Sequence, residues 1–216
     1  MPERPRSIRA AAVSAVLLTA GLLTTGCGAG AAAPQASTTP APATASASPS
    51  AGVTAAATLG GPGTACPLPV SFGLAADWEP EAIEDPENPE FAALTRRGPA
   101  FARCEVDAKP AGHLGFLRIW TAAGKGPART ALEGFVKAEK KTSGVTYRET
   151  VAGTLPATEV TYTAHDEALG EVKEERAFAV ATPRGTVIVH LGGLDTDEHR
   201  AMLPAYELAR TTLKVL

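Results

Sequence analysis

Amide side chains are almost missing from this 216-residue chain: Asn88 and Gln35 are the only two. That leaves few of the paired donors and acceptors on which sugar recognition draws. A basic excess is missing as well. Twenty Lys and Arg stand against 23 Asp and Glu, for a net charge of −3. Nucleic-acid binding, which gains its affinity by neutralising phosphates, is therefore not expected. Aromatic residues are 5%, so a core must lean on Val, Leu and Ala. Serine is scarce after residue 63, with only Ser71 and Ser143, and neither sits in a nucleophile-elbow context. There is no G-x-S-x-G, H-E-x-x-H, P-loop or dinucleotide G-x-G-x-x-G. The reading is a chain without catalysis and without a cofactor.

What is present begins with "MPERPRSIR", residues 1–9, with three arginines, followed by the uncharged "AAAVSAVLLTAGLL", residues 10–23. This is the basic-then-apolar order of an export signal. It is short for a membrane span, which needs ~20 apolar residues. The segment closes on "LTTGC", residues 23–27. That resembles the bacterial lipobox, with Gly26 and Thr25 matching and Thr24 standing where Leu is usual. The resemblance implies cleavage before Cys27, diacylglycerol on its thiol and palmitate-type acylation of the new amino terminus. Two or three acyl chains anchor stably where one does not. The alternative is an ordinary secretory signal with an incidental cysteine. Loss of residues 1–26 leaves 17 basic and 22 acidic residues, a net charge of −5.

Residues 28–63 carry no charge and no aromatic ring. Ala, Ser, Thr, Pro and Gly bury too little apolar surface to offset chain entropy. The stretch reads as a disordered tether, roughly 30–36 Å in root-mean-square span. Its Ser and Thr beside Pro also suit O-glycosylation, with a plain spacer as the alternative. The organisation is then a signal peptide (1–26), a lipidated Cys27 with its tether (27–63) and a globular domain (64–216). If Cys27 carries lipid, Cys66 and Cys104 remain, and outside the cytoplasm a disulfide is their expected state. A metal or catalytic role for them is the weaker alternative, since no His lies at ligand spacing.

In the domain, "LPVSFGL" (68–74) reads as a strand and the acidic, Pro-rich 77–91 as a loop with at most a helical turn. "AFARCEVDA" (100–108) alternates, placing Ala102, Cys104 and Val106 on one face. With "GHLGFLRIWTAA" (112–123) it forms a hairpin across "KPAG". "GPARTALEGFVKAEKKTSG" (126–144) predicts a helix with Leu132, Phe135 and Val136 as its apolar stripe. Strands at 145–153, 157–166, 170–183 and 185–194 make two more hairpins. The end of the chain is helical, with Asp195 and Glu198 spaced as a capping box and Pro204 set to kink the helix or end a first turn. The order β, loop, ββ, α, ββββ, α predicts an α+β fold: one antiparallel sheet flanked by helices.

"LPVSFGLAADWEPE", "LPATEVTYTAHDEALGEVKEERAFAVATPRGTVIVHLGG" and "AYELARTTLKV" resemble lipoproteins of the LpqN/LpqT type in actinobacteria. Their domain is similar to the photosystem protein PsbP and the nuclear import factor Mog. Gly153, Pro156, Ala157, Tyr162 and Gly185 carry the pattern. The resemblance implies an α/β/α sandwich, an envelope location and an accessory or binding role without a shared catalytic set.

Other residues have two readings each. His165 with Asp166 and Glu167, or the run Asp195–His199, could ligate a metal, though a turn and a helix cap explain them as well. His190 reads as a satisfied core or edge histidine rather than a base. Trp78 and Trp120 read as core before recognition aromatics. The acidic loop 79–90 reads as a solvated surface before a partner-docking or cation-attracting patch. The expectation is a lipoprotein anchored on the extracytoplasmic face of the cell membrane. It would bind an envelope protein partner, or carry a small or lipidic ligand between sheet and helix.

Overall fold

The computed structural model describes residues 53–166 and 170–216. Residues 1–26, read as a signal peptide, Cys27 and residues 28–52, read as part of a tether, lie outside the described residues, as does Glu167. In chain order the elements are β1 (Ala57–Leu59), β2 (Val70–Leu74), β3 (Glu79–Ala82), β4 (Arg96–Arg97), β5 (Ala100–Asp107), β6 (Gly115–Ala122) and α1 (Ala128–Lys137). After them come β7 (Thr142–Ala152), β8 (Leu155–Asp166), β9 (Glu171–Thr182), β10 (Gly185–Gly193), α2 (Thr196–Thr212) and β11 (Lys214–Val215). Two short 3-10 turns sit at Pro89–Leu94 and Lys109–Ala111.

The main sheet is antiparallel, in the order β3-β5-β6-β10-β9-β8-β7, with β4 also on β5. Helix α1 covers one face and α2 the other, so the fold is the expected α+β class with helices on both faces. The three local hairpins β5–β6, β7–β8 and β9–β10 follow from period-two alternation around tight turns. The pairing of β6 with β10 joins residues some seventy apart in sequence, for example Ile188 with Trp120.

Each face has its own core. On the α2 face, Leu117, Ile119, Phe178, Val189 and Leu191 meet Met202, Tyr206 and Ala209, with Phe72 from β2. On the α1 face, Trp120, Val160, Tyr162 and Ile188 meet Leu132, Phe135 and Val136.

Several expectations need correction. Ala102 and Cys104 do not share a face. The register slips between them, with Ala102 opposite Trp120 and Cys104 opposite Ile119. One extra residue, Arg103, makes a bulge and turns the rest of the strand over. The tether does not run unstructured to residue 63, because Ala57–Leu59 pairs with β2 and Leu59 is buried. The acidic segment 77–91 contains strand β3, which adds to the edge of β5. Helix α1 stops at Lys137, where its buried stripe ends, and Thr142 already starts β7 after Lys141 at φ 55°. Pro204 does not end α2, which runs on to Thr212. It occupies an exposed position, where the carbonyl left without an amide donor faces water. The capping box is half made: Asp195 accepts from the Glu198 amide at 2.8 Å. The Glu198 carboxylate instead accepts from the Leu114 amide at 3.2 Å, tying α2 to β6.

A small sheet, β1-β2-β11, completes the α2 side. Its position depends on Gly153, at φ 58° in the β7–β8 turn, whose amide donates to the Arg210 carbonyl at 2.8 Å. A Cβ there would lie 1.9 Å from the Leu213 carbonyl oxygen. Gly153→Ala therefore combines a left-handed backbone with a clash against main chain. We expect a loss of about 3 kcal/mol in urea unfolding. A change below ~1 kcal/mol would mean that the turn and the end of α2 move apart freely.

Candidate functional site

Helix α1 has only ten residues and covers part of its sheet face. Beyond its end, strand parity places polar side chains on the same face as the core. His190 continues the line of Ile188 on β10, Glu175 that of Ala177 and Ala179 on β9, and Tyr162 that of Val160 on β8. Arg97 reaches in from β4, and Lys173 lies two residues before Glu175.

The three central groups are buried: His190 is 2% exposed, Tyr162 3% and Glu175 5%. His190 Nε2 lies 2.5 Å from Glu175 Oε2 and 3.4 Å from the Tyr162 hydroxyl. Lys173 Nζ sits 3.2 Å from Glu175 Oε1 and donates to the Gly193 carbonyl at 3.1 Å. Burial pushes the His190 pKa down, and Glu175, pulling the other way, does not reverse it. The imidazole is thus neutral at pH 7. Its Nε2–H donates to Glu175, and Nδ1 is left with a lone pair and no partner. Burial alone would raise the Glu175 pKa, but His190 and Lys173 together hold it below the ordinary carboxylate value. Burial and the Glu175 charge raise the Tyr162 phenol, which stays protonated.

Aromatic rings and two arginines surround this group. Phe135 of α1 meets the His190 ring edge-on at 5.5 Å and Trp120 at 5.2 Å. The Arg97 guanidinium stacks over Phe135 at 4.6 Å and over Trp120 at 5.4 Å. Its NH2 donates to Glu139 Oε2 at 2.8 Å, while NH1 is buried without a partner. Arg118 pairs with Glu105 and lies over Phe116 at 4.3 Å. Above them opens a cleft of about 280 Å³, with Glu175 and His190 on its floor and Arg97, Lys140, Lys141 and Lys173 around it.

Two other clefts lack such a floor. One of about 630 Å³ lies between the small sheet and the end of α2, lined by Ser71, Thr154, Thr212 and Lys214. One of about 360 Å³ lies beside the start of α1, with Arg129, Glu149 and Thr158.

The residues singled out in the sequence are scattered. Cys66 and Cys104 are bonded to each other, with Cα atoms 5.8 Å apart, and both are fully buried. Trp78 and Trp120 are buried in opposite cores. His165 shares a hydrogen bond with Ser143 at 3.3 Å on the rim of the cleft. His113 faces Glu198 at 3.5 Å. His199 is buried under α2. Among the described residues no three His, Cys, Asp or Glu are gathered to hold a metal. His190 is a core histidine, but one with an unmatched nitrogen rather than a satisfied one. Sequence reasoning missed Glu175, Lys173 and Arg97. A signal existed for Glu175, since it stands at the parity of Ala177 and Ala179 within an otherwise buried line.

This is a three-layer α+β domain with a polar cleft on one helix-covered face. The chain belongs to a family of uncharacterised lipoproteins, whose pattern it matches over residues 34–213. As a lipoprotein it is an extracytoplasmic protein associated with the cell envelope. No curated protein matches its sequence. Among solved structures it is similar to LpqN of Mycobacterium tuberculosis, described as involved in cell envelope biogenesis. That likeness has 13% identity and a TM-score of 0.40, over 74% of this chain and 89% of LpqN. It is also similar to the PsbP of Synechocystis, with 9% identity and a TM-score of 0.44, over 73% of this chain and 97% of that one. A Pseudomonas aeruginosa protein of unknown function matches with 15% identity and a TM-score of 0.40, over 68% and 91% of the two chains.

Proposed function

We propose that this lipoprotein is held on the extracytoplasmic face of the membrane by acyl chains on Cys27. Its domain is a noncatalytic binding module that works through the α1-side cleft. The observation that supports the binding reading is the cleft itself, which gathers Arg97 and Lys173 around a buried, paired floor. Both Glu175 oxygens have partners, Oε2 in His190 and Oε1 in Lys173. The pair holds a fixed charge pattern beneath the cleft.

A concave polar floor suits a small ligand better than a flat protein partner. It also suits a polar ligand better than a lipid tail. An acyl chain over Lys173 and Glu175 would remove their water without returning hydrogen bonds.

Native mass spectrometry of the full chain, released from its own membrane in neutral detergent, tests the binding reading. A reproducible mass excess of small-molecule size is expected. A bare mass together with specific protein crosslinks would turn the reading to a partner, and a bare mass without crosslinks would remove it. The anchor has its own test. Cys27→Ser is expected to shift the protein from the membrane fraction to the soluble one, or to leave the signal uncut. A processed variant that stays in the membrane would overturn the lipobox assignment.

A further inference from the structure

We infer that the cleft takes a small oxyanion of the phosphate type, with Arg97 as its principal ligand. This rests on the reading of the cleft as a binding site. Its lining carries four cations, Arg97, Lys140, Lys141 and Lys173, against two carboxylates, Glu139 and Glu175. The chain as a whole is acidic, at −3, while Arg97, Lys140 and Lys173 gather at this one cleft.

Unmatched buried atoms give the chemistry of what is bound. Arg97 NH1 and Trp120 Nε1 are both buried without a hydrogen-bond partner. Such atoms are uncommon in native proteins. Arg97 lines the cleft, and its NH1 is a donor only, so the group that would complete it there is an acceptor. Trp120 is not part of the cleft's lining but lies under this arginine, whose guanidinium is 5.4 Å from the ring centre. His190 Nδ1, 2% exposed at the residue level and on the cleft floor, has a lone pair that asks for a donor. A protonated phosphate supplies acceptors and one donor, whereas a carboxylate supplies acceptors alone.

The chain already places a carboxylate on this arginine. Glu139, just past the end of α1, binds NH2 at 2.8 Å and leaves the other arm of the fork unused. Glu139 and Arg97 are both partly exposed, with side-chain values of 26% and 22%. Glu139 can therefore swing into solvent, and a bidentate oxyanion can take the whole fork in its place. Glu139 is an internal competitor for the ligand.

The two source chemistries are free phosphate, whose P–OH can donate to His190 Nδ1, and a phosphatidylglycerol-type headgroup of the membrane beside the anchor, whose phosphodiester supplies only acceptors and whose glycerol hydroxyl would be the donor. The test uses the full chain, ¹⁵N-labelled, in dodecyl maltoside micelles at constant ionic strength. The chain has two tryptophans, so the indole N–H of Trp120 reports the site and that of Trp78, in the opposite core, is the control. Inorganic phosphate is expected to shift Trp120 saturably and leave Trp78 in place. A response to phosphatidylglycerol nanodiscs and not to phosphate or phosphatidylcholine nanodiscs would assign the headgroup as the source. Glu139→Gln is expected to lower the phosphate midpoint at least threefold. Arg97→Lys, which keeps charge but loses the fork, is expected to raise it at least tenfold, and Arg97→Gln to abolish the response.

The inference fails if Trp120 is unmoved by both phosphate and phosphatidylglycerol, or if both indoles move alike. It also fails if Glu139→Gln weakens binding, as it would were Glu139 only a structural partner of Arg97. A null result here with a bound mass in native spectrometry would remove the oxyanion and leave the binding cleft standing. A null result in both would remove both.

Discussion

Loss of the Cys66–Cys104 bond is expected to lower the melting temperature by about 8–16 °C, the largest stability change open to a covalent edit here. Cys66 lies in the segment leading into β2, and Cys104 lies on β5 of the main sheet. The bond fastens the small sheet and its lead-in to the α2-side core. It closes a loop of 38 residues. The chain-entropy model gives about 4 kcal/mol for a loop of that length. For a domain of roughly 150 residues each kcal/mol corresponds to about 2–4 °C. The measurement is a pair of thermal melts, native against fully reduced, with the Cys66→Ala/Cys104→Ala double variant as a second reading. Alanine is chosen because serine would bury two hydroxyls in a site that is fully closed to solvent. A shift under ~3 °C with reduction verified would mean that the reduced unfolded chain keeps the two segments together.

Acid is expected to weaken the fold well before its carboxylates protonate. His199 lies at 2% exposure, and burial pushes its pKa down to about 4. Glu174 and Arg176 lie on its side of β9, and Glu175 and His190 act on it through the sheet from the other face; the two acids do not outweigh burial. His190 is shifted in the same direction by its own burial. The folded state therefore refuses protons that the unfolded chain accepts below pH 6.5. Stability is full above that pH and falls as pH drops toward 4. For His199 alone the loss between pH 7 and pH 5 is about 2 kcal/mol, or roughly 1 M in urea midpoint. His190 adds to the same slope. Glu175 acts later: its depressed pKa contributes stability above the ordinary carboxylate range, lost as pH falls below it. Urea titrations at pH 7, 6 and 5 check this, with His199→Gln expected to remove most of its share of the slope. An unchanged slope in His199→Gln would show that the buried imidazole is not the proton acceptor that unfolding exposes.

Much of the local architecture could be read in advance because it depends on neighbours in sequence. The alternation of Val160, Tyr162 and Ala164 specified a half-buried strand. Leu132, Phe135 and Val136 specified one face of a helix, and all three are buried in the structure. Asp195 marked the start of α2 through a bond that spans three residues. The errors came where the decisive contact is distant. Pro204 is tolerated because its side of α2 faces water. The β1 segment has the composition of a tether, yet it is ordered because β2 offers it an unpaired edge.

The candidate site shows the same division more sharply. His190 and Tyr162 read as residues on strands, while Glu175, at the parity of Ala177 and Ala179, was missed. Periodicity gives a side chain's face but not its partner. That β9 lies between β8 and β10 brings a phenol, an imidazole and a carboxylate to one place, and this order is a property of the whole sheet. Arg97 was invisible for a further reason. It belongs to a two-residue strand with no period to read, and it is aimed by pairing with β5. The sequence by itself determined the basic-then-apolar order of residues 1–23, the uncharged stretch after Cys27, the hairpins and the α+β class, because composition and short-range pattern suffice for those. Tertiary structure alone decided which charges meet under α1 and which of their hydrogen bonds are left unmade. Pairing between strands far apart in sequence is fixed only when the whole chain closes its two cores.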